Sequence, residues 1–370
     1  MVTANPFGDS TETDVLVIGG GQAGLSAGHY LGKFGLLPRT LMVDHSPGPG
    51  GAWQFRWPTL TLAGANGVHD LPGLGLSEAL GMDCDQWPAS TAVRDYFGQY
   101  EEKFGLDIHR PVDVRSVSRH DDLFRVSTAD GPDIIARTII NATGTWDRPF
   151  VPYVPGIETF TGTQLHTHDY QRPTDFAGKR VLVVGAGISA VQLLIEIARG
   201  AEGVQTFWCT RTEPRFSDEP FSPDRGREAV ARVEKRVRAG LPPGSVVSVT
   251  GLPVTDSIRA AQADGILDRL PMFTRITPDG VCWDCEIEGA PQHLDVDVIL
   301  WCTGFRGALD HLAPLHLRAP GGGIVMTGRL ATVVAALPQL QLLGYGPSAS
   351  TIGANRAGRE AARVVQELLG

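Results

Sequence analysis

Cysteine is scarce in this chain: Cys84, Cys209, Cys282, Cys285 and Cys302 make an odd, mostly dispersed set of five in 370 residues. That excludes a secreted disulfide framework and points to a reducing, cytoplasmic setting. Long apolar runs are also missing. No stretch approaches the ~18 uninterrupted apolar residues of a membrane span. The polar segment Met1–Thr13 has no apolar run of signal-peptide length. A soluble chain is therefore expected. Positive charge is in deficit, with 32 Lys and Arg against 41 Asp and Glu and a net charge of -9. Nucleic acid and anionic membrane surfaces, which call for clustered cations, are excluded as partners. Clusters of Cys and His at zinc spacing are absent. His166, His168 and Asp169 lie close in sequence without forming such a set, so no metal is expected.

What is present is glycine, 45 residues of it, gathered in short loops rather than low-complexity tracts. With 42% hydrophobic and 20% charged residues, the composition is that of a globular protein with a large core. The length suits about two domains at roughly 150 residues each.

Asp14–Ile18 is a short β-branched run that reads as a buried parallel strand. It leads into Gly19-Gly-Gly-Gln-Ala-Gly24 and then a helix over Leu25–Lys33. Gly19, Gly21 and Gly24 fit G-x-G-x-x-G in its required strand–turn–helix setting. The first glycine permits the tight turn, the second lets backbone approach a pyrophosphate, and the third lets helix pack on strand. The helix N-terminus offers free N–H groups to the phosphates. A second strand, Thr40–Val43, ends in Asp44, a carboxylate placed for the adenosine ribose.

The pattern recurs. A strand over Lys179–Val184 leads into Gly185-Ala-Gly-Ile-Ser-Ala190, the G-x-G-x-x-A variant, and a helix through about Arg199. Its second strand, Gln205–Trp208, ends in Cys209-Thr-Arg-Thr212 with no carboxylate. An acid there favours NAD, whereas an arginine holds a 2′-phosphate, so Arg211 with Thr212 points to NADPH. Two dinucleotide sites in one chain are read economically as one for FAD and one for a nicotinamide donor, with hydride passing between them.

With both loops in place, the chain resembles the flavin-containing monooxygenases, especially the short bacterial type, from about Asp14 to its C-terminus. Gly50-Gly-Ala-Trp53 is similar to the G-G-x-W stretch of that family. Phe160, Gly162, His166 and Tyr170 match its F-x-G-x-x-x-H-x-x-x-Y pattern. Asn141-Ala-Thr-Gly144 and Trp301-Cys-Thr-Gly-Phe305 look like its paired interdomain linkers. Leu343–Gly346 and Ser350–Asn355 resemble its C-terminal flavin-contacting segment. The resemblance implies FAD contacts at Gly19, Gly21, Gln22, Ala23, Gly24, Asp44, Gly51, Trp53, Val114, Thr143, Thr351 and Ile352. For NADPH it implies Gly185, Gly187, Ile188, Ser189, Arg211, Thr212, Cys302, Thr303 and Gly304. Leu62-Ala-Gly-Ala-Asn-Gly67 departs from the family's T-N-x-P segment. Asn66 is the candidate for the catalytic asparagine there, with a turn residue before Gly67 as the alternative. His166 is taken as a family marker with a structural role.

The implied fold is α/β, two doubly wound Rossmann-like dinucleotide-binding domains, with the NADPH domain (161–296) inserted into the FAD domain (1–160 and 297–370). Asp297–Trp301 is expected to return to the FAD domain, and Ser350–Leu369 to form a helix directed at the flavin. The stretch from Thr212 to about Ala263, which includes Arg225–Arg238 read as a helix with a solvated face, is a candidate mobile cover for the nicotinamide. The implied mechanism is reduction of FAD by NADPH, formation of a flavin C4a-hydroperoxide with O2, and oxygen transfer to an amine or thioether. Tyr170 followed by Gln171 tilts away from Baeyer–Villiger oxygenation of a ketone, whose enzymes end the pattern differently. A disulfide reductase working through Cys282 and Cys285 is the other enzymatic alternative, although their segment alternates like a hairpin strand, where redox C-x-x-C pairs usually open a helix. A flavoprotein that only senses redox state is the non-enzymatic one. The partners implied are a small-molecule substrate and O2. A homodimer is the default assembly.

Overall fold

A computed structural model of the chain describes residues 10–65, 67–218, 223–244, 251–284, 286 and 288–370. Asn66 and Cys285 lie outside the described residues. The chain divides into two compact units, each a Rossmann-like α/β assembly. One comprises 1–147, 230–244 and 307–370, the other 148–229 and 245–306. These bounds differ from the expected 160/161 and 296/297: the crossings at 147/148 and 306/307 come just after the two linker-like segments, and 230–244 also groups with the first unit.

The first unit is built on a nine-stranded sheet. Thr11–Ile18 lies at its centre, parallel to Thr40–Val43 on one side and Ile134–Asn141 on the other. Val15, Leu16 and Val17 are fully buried, as a strand covered on both faces requires. Leu337–Leu342 extends the parallel ladder beyond Ile134–Asn141. An antiparallel arm, Leu123–Thr128 with Val114–His120, completes the sheet. Helix Gln22–Lys33 packs beside the C-terminal helix Thr351–Leu369, where Ser350 caps the first turn through its bond from the Gly353 N–H (3.1 Å).

The second unit holds a five-stranded parallel sheet ordered Arg269–Pro271, Gln205–Thr210, Arg180–Val184, Val298–Trp301 and Thr163–His166. The sequence reading of Asp297–Trp301 as a strand of the first domain is corrected here. Val298–Trp301 pairs with Arg180–Val184 and Thr163–His166 and is buried along its length. The Asp297 carboxylate fastens it by two bonds to the Arg180 guanidinium (2.8 and 3.2 Å). Leu182, Ile299 and Trp301 share one core with Ile276 and Val281 of a three-stranded antiparallel meander and with Phe273 and Trp283, which flank its strands. The helix over Pro223–Arg238 forms, but its second half is not a free cover: Val237 is fully buried in the core of the first unit. Among the described residues no helix is long and apolar enough to cross a membrane.

Candidate functional site

In open parallel sheets ligands bind outside the carboxyl ends of the strands. In the first unit those ends carry the glycine loop, Asp44 and the 142–146 segment. Gly19 has φ +107, and a Cβ there would stand 2.5 Å from the Ala142 carbonyl oxygen. A Cβ on Gly24 would stand 1.9 Å from the carbonyl oxygen of Gly19, so helix and strand touch through backbone alone. Gly21 is the N-cap of the helix that opens with Gln22 and Ala23. Gly51 abuts it, since a Cβ on Gly51 would lie 2.8 Å from the Cα of Gly21. Trp53 follows in the 3-10 turn Gly51–Phe55.

Asp44 is only 3% exposed. Burial alone would raise its carboxyl, but bonds from His45 and the Ser46 N–H and the charge of Arg110 outweigh it and hold the group below its ordinary range. Arg110 also makes a two-pronged pair with Glu101 (2.8 Å each). Bonds to Asp147 and then Asp44 push the His45 imidazole up to about 10. Sequence reasoning missed Arg110, Glu101, His45 and Asp147, because none carries a local motif.

Gln22 donates to Asn355 Oδ1 (2.9 Å) and to the carbonyl of His69 (3.1 Å), while its own buried Oε1 has no partner. The resemblance named the stretch ending at Asn355 without assigning that residue a role. Thr143 accepts from Asn141 Nδ2 (3.0 Å) and donates to Ala308 O (2.8 Å); Asn141 in turn accepts from His311 Nε2 (2.6 Å). Val114 opens the antiparallel arm and packs on the hydrophobic core. Thr351 begins the C-terminal helix and Ile352 follows it. A glycine cradle that any Cβ would fill, a fixed carboxylate and an unpartnered buried acceptor together fit the adenosine diphosphate half of a dinucleotide.

The second unit repeats the device. Gly185 has φ +143, and a Cβ there would stand 2.3 Å from the carbonyl oxygen of Cys302. Gly187 caps helix Ile188–Gly200, whose first residues are Ile188 and Ser189. The next strand runs to Thr210, two residues further than expected, so Arg211 and Thr212 sit directly past its carboxyl end. Both are exposed, and Arg211 has no hydrogen bond or ion pair among the described residues. Cys302 is buried beside the glycine loop. Thr303 donates its hydroxyl to Phe150 O, and Gly304 O accepts from His166 Nε2 (3.0 Å).

The motif residues Gly162, His166 and Tyr170 act structurally. His166 Nδ1 accepts from the His168 N–H (3.1 Å), so Nε2 carries the proton it gives to Gly304. With both ring nitrogens engaged, His166 offers none to a metal. A Cβ on Gly162 would lie 2.5 Å from Asp297 O, and the buried Tyr170 hydroxyl donates to Glu196 (2.9 Å). His166→Ala is expected to lower the unfolding free energy by about 1–3 kcal/mol through loss of a buried bond. Urea denaturation reads this, and the pH profile of turnover should keep its inflections. A lost inflection would instead make His166 an acid or base. The three described residues that stand together as possible cation ligands, Asp279, His293 and Asp295, are all exposed.

The chain matches the family model described as pyridine nucleotide-disulphide oxidoreductase over residues 16–223. A flavin-containing monooxygenase from Stenotrophomonas maltophilia is 34% identical, with a TM-score of 0.77 over 97% of this chain and 100% of that one. A doubly substituted form of a flavin monooxygenase from that organism gives 36% and 0.80 over the same shares. A CzcO-like oxidoreductase of Geobacillus kaustophilus is 35% identical over 51% of this chain and 52% of its own length. A trimethylamine monooxygenase of Methylocella silvestris is 28% identical over 56% and 52%. The matched stretch thus spans about half the length of these two curated relatives.

Proposed function

The chain belongs to the pyridine nucleotide-disulphide oxidoreductase family and, within it, to the flavin-containing monooxygenases, and from that premise we propose that it is an FAD-dependent monooxygenase. It would use NADPH and O2 to oxygenate a small amine or thioether. The observation that carries this reading is the pair of glycine cradles, one per unit, with different ribose-reading residues beside them: Asp44 in the first and Arg211 with Thr212 in the second. A buried carboxylate suits the hydroxyls of an unphosphorylated ribose, and an exposed guanidinium suits a 2′-phosphate.

Bound FAD supplies the hydride acceptor and the activation of dioxygen. The chain's own residues bind and orient. The N–H groups at Gly21–Gly24 would receive the pyrophosphate of FAD, and those at Gly187–Ser189 that of NADPH. Thr143, held by Asn141 and Ala308, fixes the loop after Ile134–Asn141. The overall balance is one oxygen atom into the substrate and one into water, with NADPH supplying the electron pair.

The setting of Cys282 disfavours a disulfide reductase. Cys282 borders a polar groove of about 510 Å³ with Arg275, Asp284 and His293, but it ends a strand, and burial pushes its thiol up. A reactive thiol needs the opposite shift.

Turnover of a thioether under isotopically labelled dioxygen tests the proposal. Labelled sulfoxide formed in step with NADPH oxidation is expected. NADPH oxidation coupled to thiol release from a disulfide, with no labelled product, would replace the monooxygenase reading by the reductase one.

A further inference from the structure

Arg56 follows the 3-10 turn Gly51–Phe55 and has no anionic partner among the described residues. Its guanidinium carbon stands 4.4 Å from the Trp146 ring centroid and 5.7 Å from that of Trp53. Phe55 stacks on Trp146, with centroids 6.5 Å apart and planes 9° from parallel. The Nε of Arg56 is buried without a hydrogen-bond partner, and among the described residues no other Arg or Lys nitrogen is in that position. Arg110, by contrast, is matched by Glu101 and Asp44. Arg56 is half-buried, and attraction to aromatic faces offsets only part of the desolvation of such a charge, whose shortfall is ordinarily met by an anion. Burial lowers the guanidinium to about 10, which leaves it charged at neutral pH.

The cage hangs from the backbone of the first cradle. Trp53 is on the turn whose Gly51 abuts Gly21, and Trp146 is on the loop whose Ala142 carbonyl lies against Gly19. Both loops follow parallel strands at their carboxyl ends, where ligands bind in such sheets. We propose that Arg56 is a cofactor-binding residue that receives the negative charge of the bound flavin dinucleotide, carried on its pyrophosphate or on its reduced ring. This rests on the reading of the first unit as the FAD site.

The test uses the full chain, stripped of flavin, as wild type, Arg56→Met and Arg56→Lys. Apoprotein melting, dissociation constants for FAD and for ADP, and the midpoint potential of the reconstituted protein are measured. Removing a part-buried cation whose Nε lacks a partner is expected to make Arg56→Met apoprotein melt no lower than wild type. If the pyrophosphate is the partner, FAD and ADP both bind Arg56→Met about tenfold more weakly. If the reduced ring is the partner, oxidised FAD and ADP bind as before and the potential falls by about 30 mV, the equivalent of tenfold for a two-electron couple. Arg56→Lys keeps the charge and should restore most of either loss. A Met variant that fails to fold, melts lower as apoprotein, or binds FAD with wild-type affinity and potential overturns the proposal. Failure of wild-type apoprotein to bind FAD at all would instead overturn the assignment of the first unit.

Discussion

Gly24→Ala is expected to abolish stable flavin binding through the fold, and Gly21→Ala to abolish it without disturbing the fold. The added methyl at position 24 would stand 1.9 Å from the Gly19 carbonyl oxygen and 3.0 Å from its carbon, where ordinary contact begins at 3.4 Å. Both atoms are backbone, so no rotamer change relieves the clash and the helix must move off the strand. Overpacking of this kind costs about 1–3 kcal/mol. The clash is present with or without flavin, so this cost falls on the stability of the apoprotein itself. The displacement also misaims the N–H groups at the helix start, and this is what removes flavin binding. At position 21 the nearest atom to an added Cβ is the Cα of Gly51 at 3.9 Å, which is comfortable contact. The protein alone accepts alanine there, whereas a pyrophosphate approaching the backbone does not. Thermal melting of the apoproteins should therefore separate the two variants, with Gly24→Ala lowered and Gly21→Ala unchanged. A Gly21→Ala protein that purifies with full flavin content would show that no phosphate approaches that backbone.

This contrast explains which parts of the site were legible in the sequence. Gly19, Gly24 and Asp44 are tied to one another by local chain geometry, a strand, a tight turn and a helix, so their spacing alone places them. The same holds for Gly185 and Gly187. Val298–Trp301 is an apolar run of the right length for a buried strand, but nothing within those four residues says which sheet it joins. That is decided by Asp297 clasping Arg180 and by register with Val181–Val184. The helix over Pro223–Arg238 shows its charged face in the sequence, whereas the burial of Val237 depends on residues far along the chain, among them Ile324 and Tyr345. Arg110, Glu101 and Asp44 come together from three separate elements, and Arg56, Trp53 and Trp146 from two separate loops. Charge balance of this kind is a property of the folded arrangement, which no spacing rule reaches.

The second large effect concerns the nicotinamide donor. Arg211→Ala is expected to raise the dissociation constant for NADPH by about tenfold to a hundredfold, since a hydrogen bond to a charged group contributes about 1.5–3 kcal/mol. NADH, which lacks the 2′-phosphate, should be affected by no more than about threefold, the general scatter of such contributions. Arg211 is exposed and has no protein partner among the described residues, so its removal leaves nothing unpaired and should not shift the melting temperature. The loss therefore belongs to the ligand rather than to the fold. Exposure also makes the preference salt-sensitive, because charges in water are screened over about 8 Å at physiological ionic strength and about 3 Å at 1 M. Wild-type selectivity for NADPH should shrink as salt rises, while the residual selectivity of Arg211→Ala stays flat. Thr212→Val is the companion variant. If the hydroxyl shares the phosphate, it lowers NADPH affinity by a smaller factor and independently of salt. Equal losses for both nucleotides in Arg211→Ala would place the guanidinium on the shared pyrophosphate or outside the site. Discrimination would then have to come from elsewhere in the 185–190 and 302–304 loops.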